Sequence, residues 1–114
     1  MEITEFNLLQ DRIKKFCKDR DWNQFHDPKN LAISLQLESS EVLELFQWSK
    51  DNAVQAGKEE DVADELADVF YWLLMLSNYY NIDLVKALDE KMDKNEAKYP
   101  VDKAKGKANK YTTL

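Results

Sequence analysis

Apolar positions along this chain recur mostly at intervals of three and four, the spacing that lines one face of a helix. Ile3, Phe6, Leu9, Ile13, Phe16 and Cys17 form the first such stripe and predict a helix from about Thr4 to Asp19. The segment DRDWNQFHDP breaks the rhythm. Asp27-Pro28 then gives a start signal, since aspartate caps a helix and proline is tolerated in its first turn. A second helix is expected from there to about Lys50. The polar stretch DNAVQAGK, with Gly57, leads to a third, which opens with KEEDVADE and continues to about Tyr80. Its acidic opening suits the positive end of the helix dipole. Asn81 and Asp83 end that helix and cap a fourth, about Asp83 to Lys98, with Leu84, Val85, Leu88 and Met92 inward. Tyr99-Pro100 stops the fourth. The basic tail, about 101–114, is weakly patterned, with Tyr111 and Leu114 as apolar anchors.

One segment departs from one-sidedness. From Val69 to Leu76, VFYWLLML, every residue is apolar or aromatic. A helix that is apolar all round must be surrounded, and four modest helices cover one side of it. The expected fold is therefore an all-α four-helix bundle completed by oligomerisation, as a homodimer or tetramer, symmetric pairing being the commonest solution. A central helix inside a monomer is the alternative.

Composition narrows the class. A length of 114 residues implies one domain spanning 1–114. Two glycines and two prolines are too few for the turns that strands and hairpins require. A net charge of −6 weighs against nucleic acid or an anionic membrane as partner. The single Cys17 excludes an internal disulfide and fits a reducing cytoplasm. Met1 runs straight into EITEFNLLQDRIKK without the pattern of a secretion signal. No apolar run reaches the roughly 18 residues of a membrane span.

Candidate chemistry lies in the acidic residues. In LQLESSEVLELFQW, Glu38, Glu41 and Glu44 stand at three-residue intervals on an otherwise core-forming segment. Residues three apart on a helix are neighbours, so Glu38 and Glu41 point the same way and repel by a few tenths of a kcal/mol. Glu44, rotated about 120° from Glu38, borders the same cluster or faces away. The third helix repeats the device with Glu65 and Asp68, and Asp61, Glu65, Asp68 and Trp72 fall on one stripe. Asp68 precedes VFYW directly, which places a carboxylate where burial without a partner is very costly. A basic partner, raised pKa values or a divalent cation each relieve it. Helices two and three carry few bases, Lys29, Lys50 and Lys58, all near helix ends. All-oxygen ligation selects a hard ion, Mg²⁺ or its substitute Mn²⁺. A solvated acidic face is the ordinary alternative for any single ExxE pair. A di-iron bundle wants Glu-x-x-His pairs, and His26 is the single histidine. On the fourth helix Lys91, Lys94 and Lys98 stand at i, i+3 and i+7, placed for phosphates or simply for solvent.

ExxE followed after 23 residues by ExxD, on two helices, resembles the signature of the MazG-like all-α nucleoside triphosphate pyrophosphohydrolases. DWNQFHDPKNL, ELFQW, KMDKN with KYP, and KYTTL resemble the dCTP pyrophosphatase branch in particular, so the similarity runs from about Asp21 to Leu114. The resemblance implies Mg²⁺ ligation by Glu38, Glu41, Glu65 and Asp68. It implies cleavage of a (deoxy)nucleoside triphosphate, dCTP or a modified dCTP first, to monophosphate and pyrophosphate. Lys91 and Asn95 become phosphate- and sugar-side contacts, and Lys98 continues their stripe. Trp22 and Trp48, near the two ends of the second helix, become base or sugar packing, with Phe25 and His26 at the same mouth. Trp72 stands where tyrosine is usual in dCTP-preferring relatives, and its stripe places it beside the nucleotide. Glu41 is the first choice to activate water, with Glu38 and Glu44 as the other catalytic carboxylates.

Polyphosphate chemistry suits such a site, because phosphoryl transfer needs mainly placement and positive charge. Two other readings keep the same sequence features. One is the same site acting on dUTP or phosphoribosyl-ATP. The other is a non-catalytic helical interaction module whose acidic cluster is inert.

Overall fold

A computed structural model describes residues 4–114, so Ile3 of the first stripe lies outside the described residues. Four long helices are present, α1 (Glu5–Asp19), α2 (Pro28–Glu44), α3 (Asp61–Tyr79) and α4 (Leu84–Lys98), then a short α5 (Val101–Ala104). Single 3₁₀ turns occupy Asn23–Phe25 and Tyr111–Thr113, and there is no strand among the described residues. The chain is all-α.

Local chemistry sets the boundaries. The Thr4 hydroxyl accepts from the Asn7 backbone N–H at 3.2 Å and starts α1. Asp27 does the same for α2, accepting from the Asn30 N–H at 2.8 Å, with Pro28 in the first turn. Asp83 accepts from the Lys86 N–H at 3.1 Å to start α4. Such caps contribute on the order of 1 kcal/mol each. Asp21 and Asn81, both with φ of 54°, turn the chain out of α1 and α3. These short polar side chains tolerate left-handed backbone better than most.

The second helix ends at Glu44, six residues before the expected Lys50. The loop that follows folds back and takes the carbonyls a longer helix would use. The Gln55 backbone N–H donates to Leu45 O at 2.8 Å, and its side-chain amide donates to Glu44 O at 3.2 Å. Trp48, at φ 66°, is turned out of helical geometry. No residue pattern signals this, because the partner lies eleven positions downstream of Glu44.

Two compact units divide the chain, Met1–Asn81 and Ile82–Leu114. In the first, α2 and α3 are the principal pair, with α1 touching α3. They run antiparallel: Glu44 shares a cleft with Asp61, and Leu31 shares another with Met75 near the opposite ends. The buried core is small, comprising Ile13, Cys17, Leu31, Leu74 and Met75. The Cys17 thiol sits 3.2 Å from the Tyr71 hydroxyl and 3.8 Å from the Met75 sulfur. In the second unit, α4 leads into the tail, which is more ordered than its pattern suggests. The Tyr111 ring meets Tyr99 edge-on at 6.0 Å, and the Lys98 ammonium lies 4.8 Å from the Tyr111 ring centre.

Candidate active site

The antiparallel pairing of α2 and α3 sets the two carboxylate motifs against each other. Glu38, Glu65 and Asp68 each bring a carboxylate oxygen to within 4.8 Å of the other two. Glu41, one turn from Glu38, adjoins both Glu38 and Glu65. Glu44 borders the cluster from a neighbouring cleft shared with Glu41, Gln55, Lys58, Asp61 and Glu65. Lys58 is the one basic side chain lining that cleft, 3.9 Å from the Asp61 carboxylate. Asp68 corrects an expectation: it is exposed, not buried. The fully buried part of α3, Leu74, Met75 and Ser77, lies further along the helix, and Asp68 faces an open groove.

The cluster's electrostatics follow from this crowding. Burial pushes the Glu38 carboxyl above its ordinary value, and Glu41 and Asp68 push it further, while the Trp72 indole works the other way. Glu65 is raised to about 7. The largest cause is a hydrogen bond with the Glu41 carboxyl, which needs a proton between the two oxygens; burial and the charges of Glu41, Asp68 and Glu38 follow. No cation is among these influences. One oxygen each of Glu38 and Glu65 is buried without a protein partner. Octahedral Mg²⁺, with oxygens at about 2.1 Å, separates its ligand atoms by roughly 3 to 4.2 Å. A spread of 4.8 Å is within a small side-chain adjustment of that. Donor chemistry, spacing and orphaned oxygens all fit a hard divalent ion.

Beside the cluster opens a groove of ≈ 390 Å³, the size of a small-molecule site. Leu9, Arg12, Ile13 and Phe16 of α1 line one side, Tyr71 and Trp72 of α3 another, with Trp22, and Glu38 and Asp68 belong to the same walls. Phe16 meets Trp22 edge-on at 5.4 Å and Tyr71 at 6.4 Å; Tyr71 meets Trp72 at 4.9 Å. Burial, then the contact with Cys17, pushes the Tyr71 phenol well above its ordinary value, so it stays neutral.

Of the residues singled out in the sequence, Glu38, Asp68, Trp22 and Trp72 meet in this groove. His26 backs it, its ring edge-on to Trp72 at 5.9 Å, with Nδ1 buried and unpartnered. Trp48 stands elsewhere, 85% exposed among Ser49, Lys50 and Asp51. Phe25 is exposed and lines none of these surfaces. Lys91, Asn95 and Lys98 lie on α4 in the second unit, where the Asn95 amide is 3.9 Å from the Met92 sulfur. Sequence reasoning missed Leu9, Arg12, Phe16 and Tyr71 as groove walls. The α1 residues belong to an ordinary amphipathic stripe, and nothing in its spacing says what the stripe faces.

Comparison with known proteins fits this picture. Residues 33–114 match the model of the MazG-like family. Over 105 residues the chain is 41% identical to dCTP pyrophosphatase 1 of Rattus norvegicus and covers 62% of that protein's length. Identity to dCTP pyrophosphatase 1 of Homo sapiens is 39% over the same span; in both cases 88% of this chain is matched. A crystal structure of a pyrophosphatase from Archaeoglobus fulgidus superposes with a TM-score of 0.81 at 36% identity. That match covers 88% of this chain and 96% of the archaeal one.

Proposed function

Because the chain belongs to the MazG-like family, we propose that it is a Mg²⁺-dependent nucleoside triphosphate pyrophosphohydrolase, with dCTP or a modified dCTP first among its substrates. The observation that carries this reading is the junction of two features in one place. Three carboxylates with metal-compatible spacing stand at an aromatic groove large enough for a nucleoside. The relatives named dCTP pyrophosphatase support the choice of base.

Glu38, Glu65 and Asp68 would hold the ion, with Glu41 completing the set. A bound Mg²⁺ supplies Lewis acidity toward phosphate oxygens and makes a water easier to deprotonate. The chain's own groups do the remainder. Glu41, beside Glu65 and open to solvent, accepts the proton of the attacking water, and Glu44 is next in line for that role. The rings of Phe16, Trp22 and Trp72 flank the base and keep water from it. His26 supports the Trp72 ring from behind. Lys91, Asn95 and Lys98 are retained as phosphate and sugar contacts on the strength of the sequence resemblance; Trp48, which stands outside the groove that takes the base, is kept as a substrate contact on that ground alone.

The same proposal makes the chain one functional domain of a cytoplasmic homodimer or tetramer. Leu66, Phe70 and Leu73 form a continuous exposed stripe on α3, at 53%, 41% and 40% exposure. A stripe of that kind on a central helix is best covered by another copy. No helix among the described residues is long and apolar enough to cross a membrane.

Pyrophosphate release from a panel of dCTP, dUTP, dTTP, dATP and dGTP, with Mg²⁺ and then with EDTA, tests the activity. Metal-dependent release with dCTP foremost is expected. No release from any nucleotide would leave a helical interaction module as the better reading.

A further inference from the structure

The aromatic groove carries one charge that neither the metal site nor the fold explains. Arg12 lies on the groove-facing side of α1, between Leu9 and Phe16 and next to the buried Ile13. It makes no side-chain hydrogen bond or ion pair with any described residue. Arg20, at the C-terminal end of α1, is by contrast occupied, donating to Phe16 O at 3.1 Å and stacking on the Phe16 ring. Arg12 is not among the influences on Glu38 or Glu65, which are burial, the other carboxylates and Trp72. Arg12 is exposed at the rim of the groove, so its donors are free to meet a ligand there that presents acceptors. Its donors form a rigid planar fork and it accepts nothing, so it fits two neighbouring acceptors on one flat edge.

Nucleobases differ on this point. Cytosine presents O2 and N3 side by side, both acceptors. Uracil and thymine put an N3–H donor between their two carbonyls, and adenine sets its amino group beside N1 and N7; guanine does offer O6 and N7 together, but on a larger purine ring, so the edge sorts cytosine from the other pyrimidines. We propose that Arg12 reads the base, selecting cytosine through its adjacent O2 and N3 acceptors and rejecting uracil, which has the same size and shape but the wrong edge. This rests on the pyrophosphohydrolase reading for placing the base among Phe16, Trp22 and Trp72. It adds a selection device to that reading, and it uses a residue on α1, outside both carboxylate motifs. Positions modified at C5 of cytosine leave the O2–N3 edge untouched, so the device tolerates them.

The experiment compares the wild-type chain with Arg12→Lys and Arg12→Gln. Binding of dCMP and dUMP in the presence of Mg²⁺ is read from tryptophan fluorescence, since Trp22 and Trp72 line the groove. Pyrophosphate release from dCTP and dUTP is measured in parallel. Wild type should favour dCMP by about tenfold or more, the size of one bidentate contact. Both variants should bring the two nucleotides to within about twofold, the loss falling on the cytosine ligand, with kcat/KM following the same ratio. Lysine keeps the charge but not the fork, so its failure to restore the ratio separates base reading from plain attraction to phosphate. An unchanged ratio in Arg12→Gln, an equal loss for both nucleotides, or full rescue by lysine would each overturn the proposal. Its fate is separable from that of the activity. Base discrimination through Arg12 without pyrophosphate release would sink only the reaction, and release with a ratio indifferent to Arg12 would sink only this inference.

Discussion

The raised Glu65 carboxyl makes metal binding compete with a proton. Without metal, Glu65 titrates near 7 in place of the ordinary 4.5, and a ligating carboxylate must be deprotonated. For one such group the apparent dissociation constant scales as one plus the ratio of protonated to ionised form. That factor is about 11 at pH 6 and about 1.1 at pH 8, so binding should weaken about tenfold across the interval. Glu38, shifted in the same direction, can only steepen this slope. Mn²⁺ reports it directly through the free-ion EPR signal, and calorimetry in two buffers of different ionisation heat counts the proton released. Glu65→Gln removes the titrating group, so its affinity should be lower and markedly flatter between pH 6 and 8. A wild-type affinity constant over that range, or a glutamine variant with the full wild-type slope, would refute the argument. The same shift acts on folding. The folded chain without metal holds the Glu65 proton between pH 4.5 and about 7 while the unfolded chain has lost it. Its contribution to stability is therefore full below 4.5 and is lost as pH rises through about 7. Thermal midpoints in EDTA should fall across that window, and adding Mg²⁺ at pH 8 should restore them.

Further predictions concern catalysis, packing and assembly. Glu38→Ala and Asp68→Ala should each abolish pyrophosphate release while leaving the metal-free thermal midpoint unchanged or raised, because like-charge crowding falls; near-normal rates in both would exclude the metal assignment. Leu74→Ala, at a site 1% exposed in the core of the first unit, should destabilise by about 2–5 kcal/mol in urea unfolding. Leu73→Asp places a charge in the exposed α3 stripe and should convert an oligomer to a smaller species in sedimentation; a wild-type chain that already sediments as a monomer would contradict the proposed assembly.

The sequence by itself determined the helical class, the starts of α1, α2 and α4, and the two acidic pairs that face each other across α2 and α3. Those properties are local. The period of apolar positions, the caps Thr4, Asp27 and Asp83, and the three-residue spacing in ExxE and ExxD all act within one or two turns of the chain. Tertiary structure alone decided where α2 stops, since its last carbonyls are taken by Gln55 from across a loop. It also decided that Asp68 faces an open groove and that Trp22 joins that groove while Trp48 does not. The contribution of α1, including Arg12, was equally out of reach. A helical stripe records that a face is covered, and only the packing of other helices against it says by what.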